Sequence, residues 1–240
     1  MQFLYHQDGG ESLLTIKEED FNYLFRVRRL ALGDTIKIRN LRDSFLYTYV
    51  VEEVQKKHAI LSLYQNEQSI STSNLSQKAA LSLHLLWAII EPKIIEKTLP
   101  MLNELNVARI SFFYAQFSQA QFKPSLERMH KILIQSCQQC GRDTLMNLEV
   151  HRSFDDICKL YAPFYAFDFG GEDISCFQHK DTQSTEQSIR IIVGPEGGFS
   201  SQEREQFGGI LTLNNGTILR SESACVFLAS ATRLWQSKES

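Results

Sequence analysis

The chain has 240 residues, of which 43% are hydrophobic and 22% are charged, and its formal net charge is −3. This composition excludes an intrinsically disordered protein and predicts one large or two modest domains with a buried core. The slightly acidic balance argues against a uniformly basic nucleic-acid-binding protein, although it leaves room for a local basic patch.

The sequence indicates neither a membrane span nor a metal site. The longest apolar run, LSLHLLWAII at 81–90, is half the length of the roughly 20 residues that span a bilayer. The N-terminal MQFLYHQDGGES lacks the basic and then apolar layout of a secretory signal, so a cytoplasmic protein with reduced cysteines is expected. The single C-x-x-C, Cys137 and Cys140, has no second pair and no histidine at ligand spacing, so no metal is predicted.

The first 70 residues consist of short β-type runs separated by turn residues. These runs are QFLY, DTIKIRN, SFLYTYVVEEV and HAILSLY, and one helical segment is predicted around residues 18–30. The pattern predicts a small β-barrel over residues 1–70. The Ser/Thr/Asn-rich stretch SISTSNLS at 69–76 is the predicted linker to a second domain at 71–240.

In the second domain the predicted strands alternate with predicted helices. The strands are expected at 81–90, 109–115, 147–150, 164–169, 190–194 and 210–213, and the helices at 93–106, 124–140, 154–160, 201–207 and 222–236. Such alternation predicts an α/β fold, in which helices cover both faces of a parallel sheet. Pro100 is expected to kink its helix or to end it early, and 176–188 is predicted to be a polar loop.

A basic segment lies within the predicted barrel. FRVRRLALGDTIKIRNLR at 25–42 contains a single acid, Asp34, and six basic residues: Arg26, Arg28, Arg29, Lys37, Arg39 and Arg42. Clusters of this kind bind phosphate backbones through counterion release and charge-assisted hydrogen bonds. A solvated charged surface is the alternative interpretation.

A glycine-rich loop follows the predicted strand 190–194, in RIIVGPEGGFSSQE. Open α/β folds bind ligands where parallel strands end, and glycines let the backbone approach a ligand closely. Ser200 and Glu203 fit a capping box that starts the next helix. The loop has neither phosphate-binding fingerprint, and Glu196 would repel phosphate but would suit a cation such as a sulfonium. A demanding turn without a ligand is the alternative.

A second irregular stretch, LTLNNGTILRSESACVFL at 211–228, has the same form of strand, turn and helix start. Asn214, Asn215 and Gly216 permit left-handed backbone conformations, and Ser221 or Ser223 could cap the terminal helix. Two such loops from consecutive strands would lie side by side at one sheet edge. Arg220 and Glu222 either point into a shared cleft or form a surface ion pair.

Together these stretches resemble the ribosomal RNA small subunit methyltransferase E family, of the SPOUT class of S-adenosylmethionine-dependent enzymes. The motifs that carry the resemblance are FRVRRLALGD (25–34), SCQQCGR (136–142), GPEGGFSSQE (194–203) and LNNGTILRSESA (213–224). The resemblance implies an N-terminal PUA-like β-barrel that docks RNA and a C-terminal α/β domain with a trefoil knot. It further implies a homodimer that methylates N3 of a uridine in 16S ribosomal RNA within the small subunit.

The resemblance also implies roles for individual residues. The methyl donor would lie in the knot, against Phe169, Gly194, Glu196, Gly197, Gly198, Leu213, Gly216 and Leu219. We expect Arg220 to orient the uracil, and Glu222 to hold Arg220 or to act as the base, with Glu196 as the rival base. Arg26, Arg28 and Arg29 are expected to bind RNA, and Arg142 to reach RNA or the partner subunit.

Five positions depart from the pattern of the family. Met101, Asn103 and Asn106 stand where the family has Lys, Thr and Gly, Phe117 replaces an arginine, and Met146 replaces a proline. The alternatives are a non-catalytic or retargeted RNA-binding protein on the same fold, and a nucleotide-dependent oxidoreductase. The oxidoreductase is disfavoured because the phosphate fingerprint is missing.

Overall fold

The computed structural model describes residues 2–68, 82–176, 188–214 and 216–238. The chain divides into two compact units, of which the first is Met1–Leu75 with Ile134–Leu145 and the second is Ser76–Leu133 with Met146–Ser240. The predicted linker at 69–76, most of the predicted loop at 176–188 and Asn215 lie outside the described residues. The predicted domain boundary near residue 70 therefore stays a prediction.

The first unit is built on a five-stranded sheet. Its strands are β1 (Leu4–Tyr5), β2 (Leu13–Lys17), β3 (Thr35–Arg39), β4 (Phe45–Val54) and β5 (His58–Gln68), in the order β1-β3-β4-β5-β2. The pairing is antiparallel except between β1 and β3. Two register shifts between β4 and β5 bend the sheet, since a bulge increases local twist.

One apolar core joins all five strands of this sheet. It also includes Phe21 from the short helix α1 (Glu18–Phe21) and Leu24 from the π-helical segment Asn22–Val27 that continues it. The helical region is therefore shorter than the predicted 18–30. Strand β2 was not predicted, although LLTIK alternates between exposed and buried residues as a half-buried strand does.

The second unit contains a six-stranded sheet in which every pair of neighbouring strands is parallel. The order is β11-β9-β10-β6-β7-β8. The strands are β6 (Ser82–Ala88), β7 (Arg109–Phe113), β8 (Asn147–Val150), β9 (Tyr165–Asp173), β10 (Ser188–Val193) and β11 (Gly209–Thr212). The predicted parallel α/β sheet is confirmed, and the strands all end at one edge of it.

The helices connect these strands in the predicted alternation. They are α2 (Pro92–Glu104), α3 (Leu126–Cys140), α4 (Phe154–Tyr161), α5 (Ser201–Arg204) and α6 (Ser221–Lys238). The expectation that α2 ends early at Pro100 was wrong: the helix continues to Glu104, with Leu99 and Leu102 fully buried. Burial of the apolar face outweighs the lost backbone hydrogen bond. Among the described residues, no helix is long and apolar enough to cross a membrane.

Strand β9 leaves its partner β11 for several residues and then rejoins it. Ile210 pairs with Ala166, but the next residue, Leu211, pairs with Glu172, so 167–171 bulges away from β11, while Phe167 still pairs with Val193 on β10. A Cβ at Gly171 would lie 2.1 Å from the carbonyl oxygen of Ile210, so only glycine fits where the strand rejoins. The bulge becomes one wall of a cavity at the sheet edge.

Candidate active site

A cavity of about 270 Å³ lies at the edge where the strands of the second unit end. Its volume is near the lower end of small-molecule sites, which span roughly 300–1,000 Å³. The lining residues come from the β9 bulge, the loop after β10, the loop after β11 and the start of α6. They are Phe167, Asp168, Phe169, Val193, Gly194, Pro195, Glu196, Gly198, Phe199, Thr212, Leu213, Thr217, Ile218, Leu219, Arg220, Ser221 and Ala224.

The loop after β10 is shaped by its glycines and by the helix that follows. Gly198 has a φ of +70°, which favours glycine, and its N–H donates to the carbonyl of Pro195 at 2.9 Å. The predicted capping box is confirmed, because the Ser200 hydroxyl accepts from the Glu203 N–H and the Glu203 carboxylate accepts from the Ser200 N–H. The turn and the cap together fix the path of this loop.

Glu203 also anchors a second loop. Its Oε1 accepts a hydrogen bond from the backbone N–H of Gln116 at 2.9 Å, in the loop that follows β7, and the side chain is buried. The sequence pattern identified Glu203 only as a helix cap. The partner at Gln116 is distant in sequence, so local spacing carries no indication of it.

Ser221 connects the first loop to the start of α6. Its hydroxyl donates to the carbonyl of Gly194 at 2.7 Å and accepts from the indole N–H of Trp87 at 2.8 Å. Both Ser221 and Trp87 are buried. The sequence indicated Ser221 only as a helix cap, whereas the structure uses its hydroxyl to hold the end of strand β10 against β6 and α6.

The β9 bulge supplies the wall that sequence reasoning mostly missed. Asp168 Oδ2 forms an ion pair with Arg204 Nη2 at 2.8 Å, although no arginine N–H points at this oxygen well enough for a hydrogen bond. The other oxygen of Asp168, Oδ1, accepts a hydrogen bond from the Phe169 N–H. The ring of Phe167 packs 5.9 Å from that of Phe227 on α6. Only Phe169 of this wall was predicted, since nothing in the sequence indicates the bulge.

The structure brings most of the predicted donor-binding residues to this cavity. Those that line it are Phe169, Gly194, Glu196, Gly198, Leu213 and Leu219, together with Arg220. Gly197, Gly216 and Glu222 adjoin lining residues in sequence without lining the cavity themselves. Arg220 is exposed and Glu222 is half-buried in the first turn of α6, and in this described part of the chain the two form no ion pair.

The chemistry of the lining suits a ligand that is partly apolar and partly cationic. Phe167, Val193 and Leu219 offer an apolar surface for a flat ring, and Gly194 brings backbone to the cavity wall without a side chain. Two carboxylates, Asp168 and Glu196, also line the cavity; Asp168 is paired with Arg204, whereas Glu196 is exposed and can stabilise a positive charge on a ligand. The site therefore fits a methyl donor in which a sulfonium joins an adenosine to an amino acid.

A separate polar cluster lies on β6, β7, β8 and the end of α4. His84 Nε2 lies 2.8 Å from the Ser111 hydroxyl, which donates to Glu149, and Tyr161 and His151 also contact this carboxylate. Burial, reinforced by Arg109, lowers the pKa of His84 to about 3, so this imidazole is neutral in the folded protein.

The basic residues of the first unit divide into exposed and buried groups. Arg26, Arg28 and Arg29 are exposed, as expected for residues that bind RNA. Arg39 is buried: its guanidinium donates to the carbonyl of Phe45 at 3.2 Å and lies 5.4 Å from the centre of the Phe3 ring. Its inclusion in the phosphate-binding segment was wrong, because its guanidinium is already used inside the unit.

Arg142 lies in the first unit, in the part of the chain that follows α3. The Gln2 N–H donates to the Gln138 carbonyl at 2.7 Å, which ties the last turn of α3 to the residues before β1. The Arg142 side chain is half-buried, and burial lowers its pKa while Cys137 and Asp143 act to raise it. A role in binding RNA or a partner subunit stays a prediction for this residue.

No group of three or more metal-ligating side chains occurs in the part of the chain that the structure describes.

The asparagine at position 106, where the family pattern has glycine, adopts a φ of +62°. Asparagine tolerates this left-handed conformation better than most residues, so the backbone turn after α2 is kept.

Two family models and several proteins of known name match this chain. A family model described as an RNA methyltransferase domain matches residues 76–233, and one described as an RNA methyltransferase PUA domain matches residues 16–64. Relatives from Helicobacter pylori strains 26695 and J99, each named ribosomal RNA small subunit methyltransferase E, are 41% identical over 239 residues. The match covers 98% of this chain and 100% of each relative.

A solved structure shows the same fold. Ribosomal RNA small subunit methyltransferase E from Neisseria gonorrhoeae, bound to S-adenosyl methionine, is 20% identical to this chain. The match has a TM-score of 0.76 and covers 98% of both chains. The predicted fold class, an α/β methyltransferase domain with a parallel sheet preceded by a PUA domain, is confirmed. The chain therefore belongs to the ribosomal RNA small subunit methyltransferase E family.

Proposed function

We propose that this protein transfers a methyl group from S-adenosylmethionine to N3 of a uridine in 16S ribosomal RNA. The observation that carries the proposal is the cavity at the sheet edge, which combines apolar walls, two carboxylates and a cationic mouth residue, Arg220. The names of the Helicobacter pylori relatives support the class of RNA substrate. The ligand of the Neisseria gonorrhoeae structure supports the identity of the donor.

The donor would be held mainly by the two glycine-containing loops. Apolar side chains such as Leu213 and Leu219 would cover its adenine, and the backbone of Gly194 would hydrogen-bond it. Glu196 would face the cationic part of the donor, which favours the sulfonium over a neutral analogue. When bound, S-adenosylmethionine supplies a methyl group on a positively charged sulfur and leaves as a neutral thioether.

Methylation at N3 requires removal of a proton, because the N3 nitrogen of uracil is a poor nucleophile while it carries hydrogen. Glu222 is the proposed base: the N3–H bond breaks and its proton passes to the Glu222 carboxylate. The N3–CH3 bond then forms in line as the S–CH3 bond breaks, and its electron pair stays on sulfur. Arg220 would stabilise the negative charge that develops on the uracil oxygens, and it cannot act as the base because it stays protonated.

The RNA would be held by the first unit as well as by the cavity. Arg26, Arg28 and Arg29 are exposed on the segment that follows α1, where phosphate contacts would release counterions. Arg142 belongs to the same compact unit and is proposed to add to this surface. The target uridine must be unpaired or splayed out to reach the cavity, and the assembled small subunit would present it.

The family resemblance adds two features to this proposal. We infer that the protein acts as a homodimer and that the cavity loops belong to a trefoil knot. The loops after β10 and β11 line one cavity, which supports the knot, and the homodimer rests on the family resemblance.

Incorporation of labelled methyl from S-adenosylmethionine tests the proposal. The substrates are small ribosomal subunits that lack the modification, large subunits and protein-free 16S RNA. The expected result is incorporation into small subunits that is much faster than into either control. Binding of the donor without incorporation into any of the three substrates would contradict the enzymatic function and favour an RNA-binding protein.

A further inference from the structure

Phe117 presents an exposed aromatic ring beside the donor-binding loop. Its exposed fraction is 49%, whereas Phe112 and Phe113 at the end of β7 are fully buried. A large exposed apolar side chain is unremarkable on its own, because much of any protein surface is apolar. The setting of this ring distinguishes it from the rest of the surface.

The loop that carries Phe117 is held in place from both sides. The Ser118 N–H donates to the Ala115 carbonyl at 3.0 Å, and the Ser118 hydroxyl accepts from the Ala115 N–H at 3.1 Å. The Gln116 N–H donates to the buried carboxylate of Glu203 at 2.9 Å. The backbone next to Phe117 is therefore fixed, and little ordering entropy remains to be lost when a ligand contacts the ring.

Phe117 also packs directly against the loop that lines the cavity. A Cβ at Gly197 would lie 2.9 Å from the Cβ of Phe117, so glycine is required there for this contact. The two neighbours of Gly197 in sequence, Glu196 and Gly198, both line the cavity. Because β7 and β10 are parallel strands of one sheet, the two loops lie at the same edge.

The residues around Phe117 suit a nucleotide better than an apolar protein surface. Exposed polar side chains occupy the same loop at Gln116, Gln119, Gln121 and Lys123. Residues 114–125, YAQFSQAQFKPS, contain no acidic residue that would repel phosphate. Amides read the edges of bases, an aromatic ring stacks on their faces, and lysine contacts the backbone.

We propose that Phe117 stacks against a base of the RNA substrate beside the methyl-donor cavity and so positions the target uridine. The inference rests on the proposed function and assigns a substrate-positioning residue to it. A base that stacks on Phe117 would lie next to the loop of Glu196, within reach of the mouth at which Arg220 is exposed. Each stacked base adds binding free energy without requiring a particular sequence.

Two variants separate stacking from support of the loop. Phe117→Leu keeps the Cβ and Cγ atoms that contact Gly197 but removes the aromatic face, and Phe117→Trp keeps an aromatic face. The measured quantities are KM for undermethylated small ribosomal subunits, kcat, and the Kd for S-adenosylmethionine. We expect the leucine variant to raise KM about 5- to 150-fold, the range of one stacked base. The tryptophan variant should stay within about 3-fold of the unmodified protein, and neither should change the donor Kd.

Three results would overturn the assignment. The first is an unchanged KM for the leucine variant, and the second is an equal rise in KM for the leucine and tryptophan variants. The third is a change of oligomeric state in gel filtration that accounts for the rise in KM. If the unmodified protein transfers no methyl group, the proposed function fails, and direct binding to small subunits still decides the role of Phe117. In that measurement, equal Kd values for the unmodified protein and the leucine variant overturn the stacking proposal.

Discussion

At the scale of single residues, Arg220 and Glu222 carry the proposed chemistry. We expect Arg220→Ala to lower kcat about 10²- to 10³-fold, because the charge that develops on uracil loses its cationic partner. Glu222→Gln keeps the shape of the side chain but removes the proton acceptor, and it should lower kcat about 10²- to 10⁴-fold. Single-turnover methylation of small subunits measures both effects.

The control for this pair is Arg152→Ala, which removes an exposed arginine that does not line the cavity. Its kcat should stay within about 2-fold of that of the unmodified protein, since a surface charge outside the site affects transition-state binding little. Donor and RNA affinities should be unchanged for Arg152→Ala. Full methylation rates for both Arg220→Ala and Glu222→Gln would show that these residues have neither role.

The buried His84 predicts a specific pH dependence of stability. Its pKa is about 3 in the folded protein, against 6.5 for an ordinary exposed imidazole, so the unfolded chain takes up a proton first as pH falls. Stability is therefore lost as pH falls below about 6.5, and His84 alone should contribute a loss of about 2 kcal/mol between pH 7.5 and pH 5. Urea unfolding at the two pH values measures it.

His84→Gln isolates this contribution, because glutamine can hydrogen-bond Ser111 without titrating. Glu149 also titrates toward acid in this cluster, but it is present in both proteins and cancels in the comparison. The difference in unfolding free energy between the two proteins should change by about 2 kcal/mol across the pH interval. A difference that is constant with pH would mean that the pKa of His84 is the same in the folded and the unfolded protein.

At the scale of secondary-structure elements, Ser221 ties the ends of β10 and β6 to the start of α6. Ser221→Ala leaves the Trp87 N–H and the Gly194 carbonyl without this partner. An unsatisfied buried polar group costs about 1–3 kcal/mol, so urea unfolding should show a loss of about 2 kcal/mol. Calorimetry should also show weaker binding of S-adenosylmethionine, because the loop after β10 is less firmly held.

Ser223 provides the matched control, since it is an exposed serine in the same turn of α6. Ser223→Ala should change the unfolding free energy by less than about 0.5 kcal/mol, as is usual for a surface position. If the two alanine variants are equally stable and bind the donor equally well, the Ser221 hydroxyl does not hold the loop.

Much of the arrangement of elements could be predicted from local pattern, because strands and helices alternate with clear punctuation. The capping box of Ser200 and Glu203 marked the start of α5 correctly. The β9 bulge could not be predicted, since it depends on the steric fit of Gly171 against Ile210 across strands. The early end at Pro100 was wrong because local propensity favours a break, whereas burial of Leu99 and Leu102 keeps the helix.

In the candidate site, too, features of local sequence could be predicted and contacts between distant segments could not. The glycine loops and Arg220 were visible as motifs, and the structure brings them to one cavity. Asp168, Arg204 and Trp87 were missed because their roles arise from contacts between segments far apart in sequence. Arg39 was misassigned for the converse reason, since a strand residue that looks basic in sequence can point into a core.

At the scale of the whole molecule, the exposed arginines of the first unit are expected to add affinity for RNA without setting the chemistry. Arg26→Ala combined with Arg29→Ala should weaken binding to small subunits. It should also make the plot of log K for RNA binding against log salt concentration less steep by roughly 1.5, since each phosphate contact contributes roughly 0.7–0.9 to the steepness. The rate at saturating RNA should be unchanged.

The control removes two other exposed cations from the same unit, Lys56 and Lys57, in the turn between β4 and β5. Lys56→Ala combined with Lys57→Ala changes the net charge equally and should leave the salt slope nearly unchanged. Equal effects of the two double variants would show that overall charge, rather than the segment after α1, governs association with RNA.

The measurement that tests the central claim most directly is the identity of the methylated nucleoside. Small subunits that lack the modification are incubated with the protein and labelled S-adenosylmethionine, and the 16S RNA is digested and analysed by mass spectrometry. The account predicts that the label is recovered as N3-methyluridine. Recovery of the label in another nucleoside, or no labelled nucleoside despite measured donor binding, would contradict it.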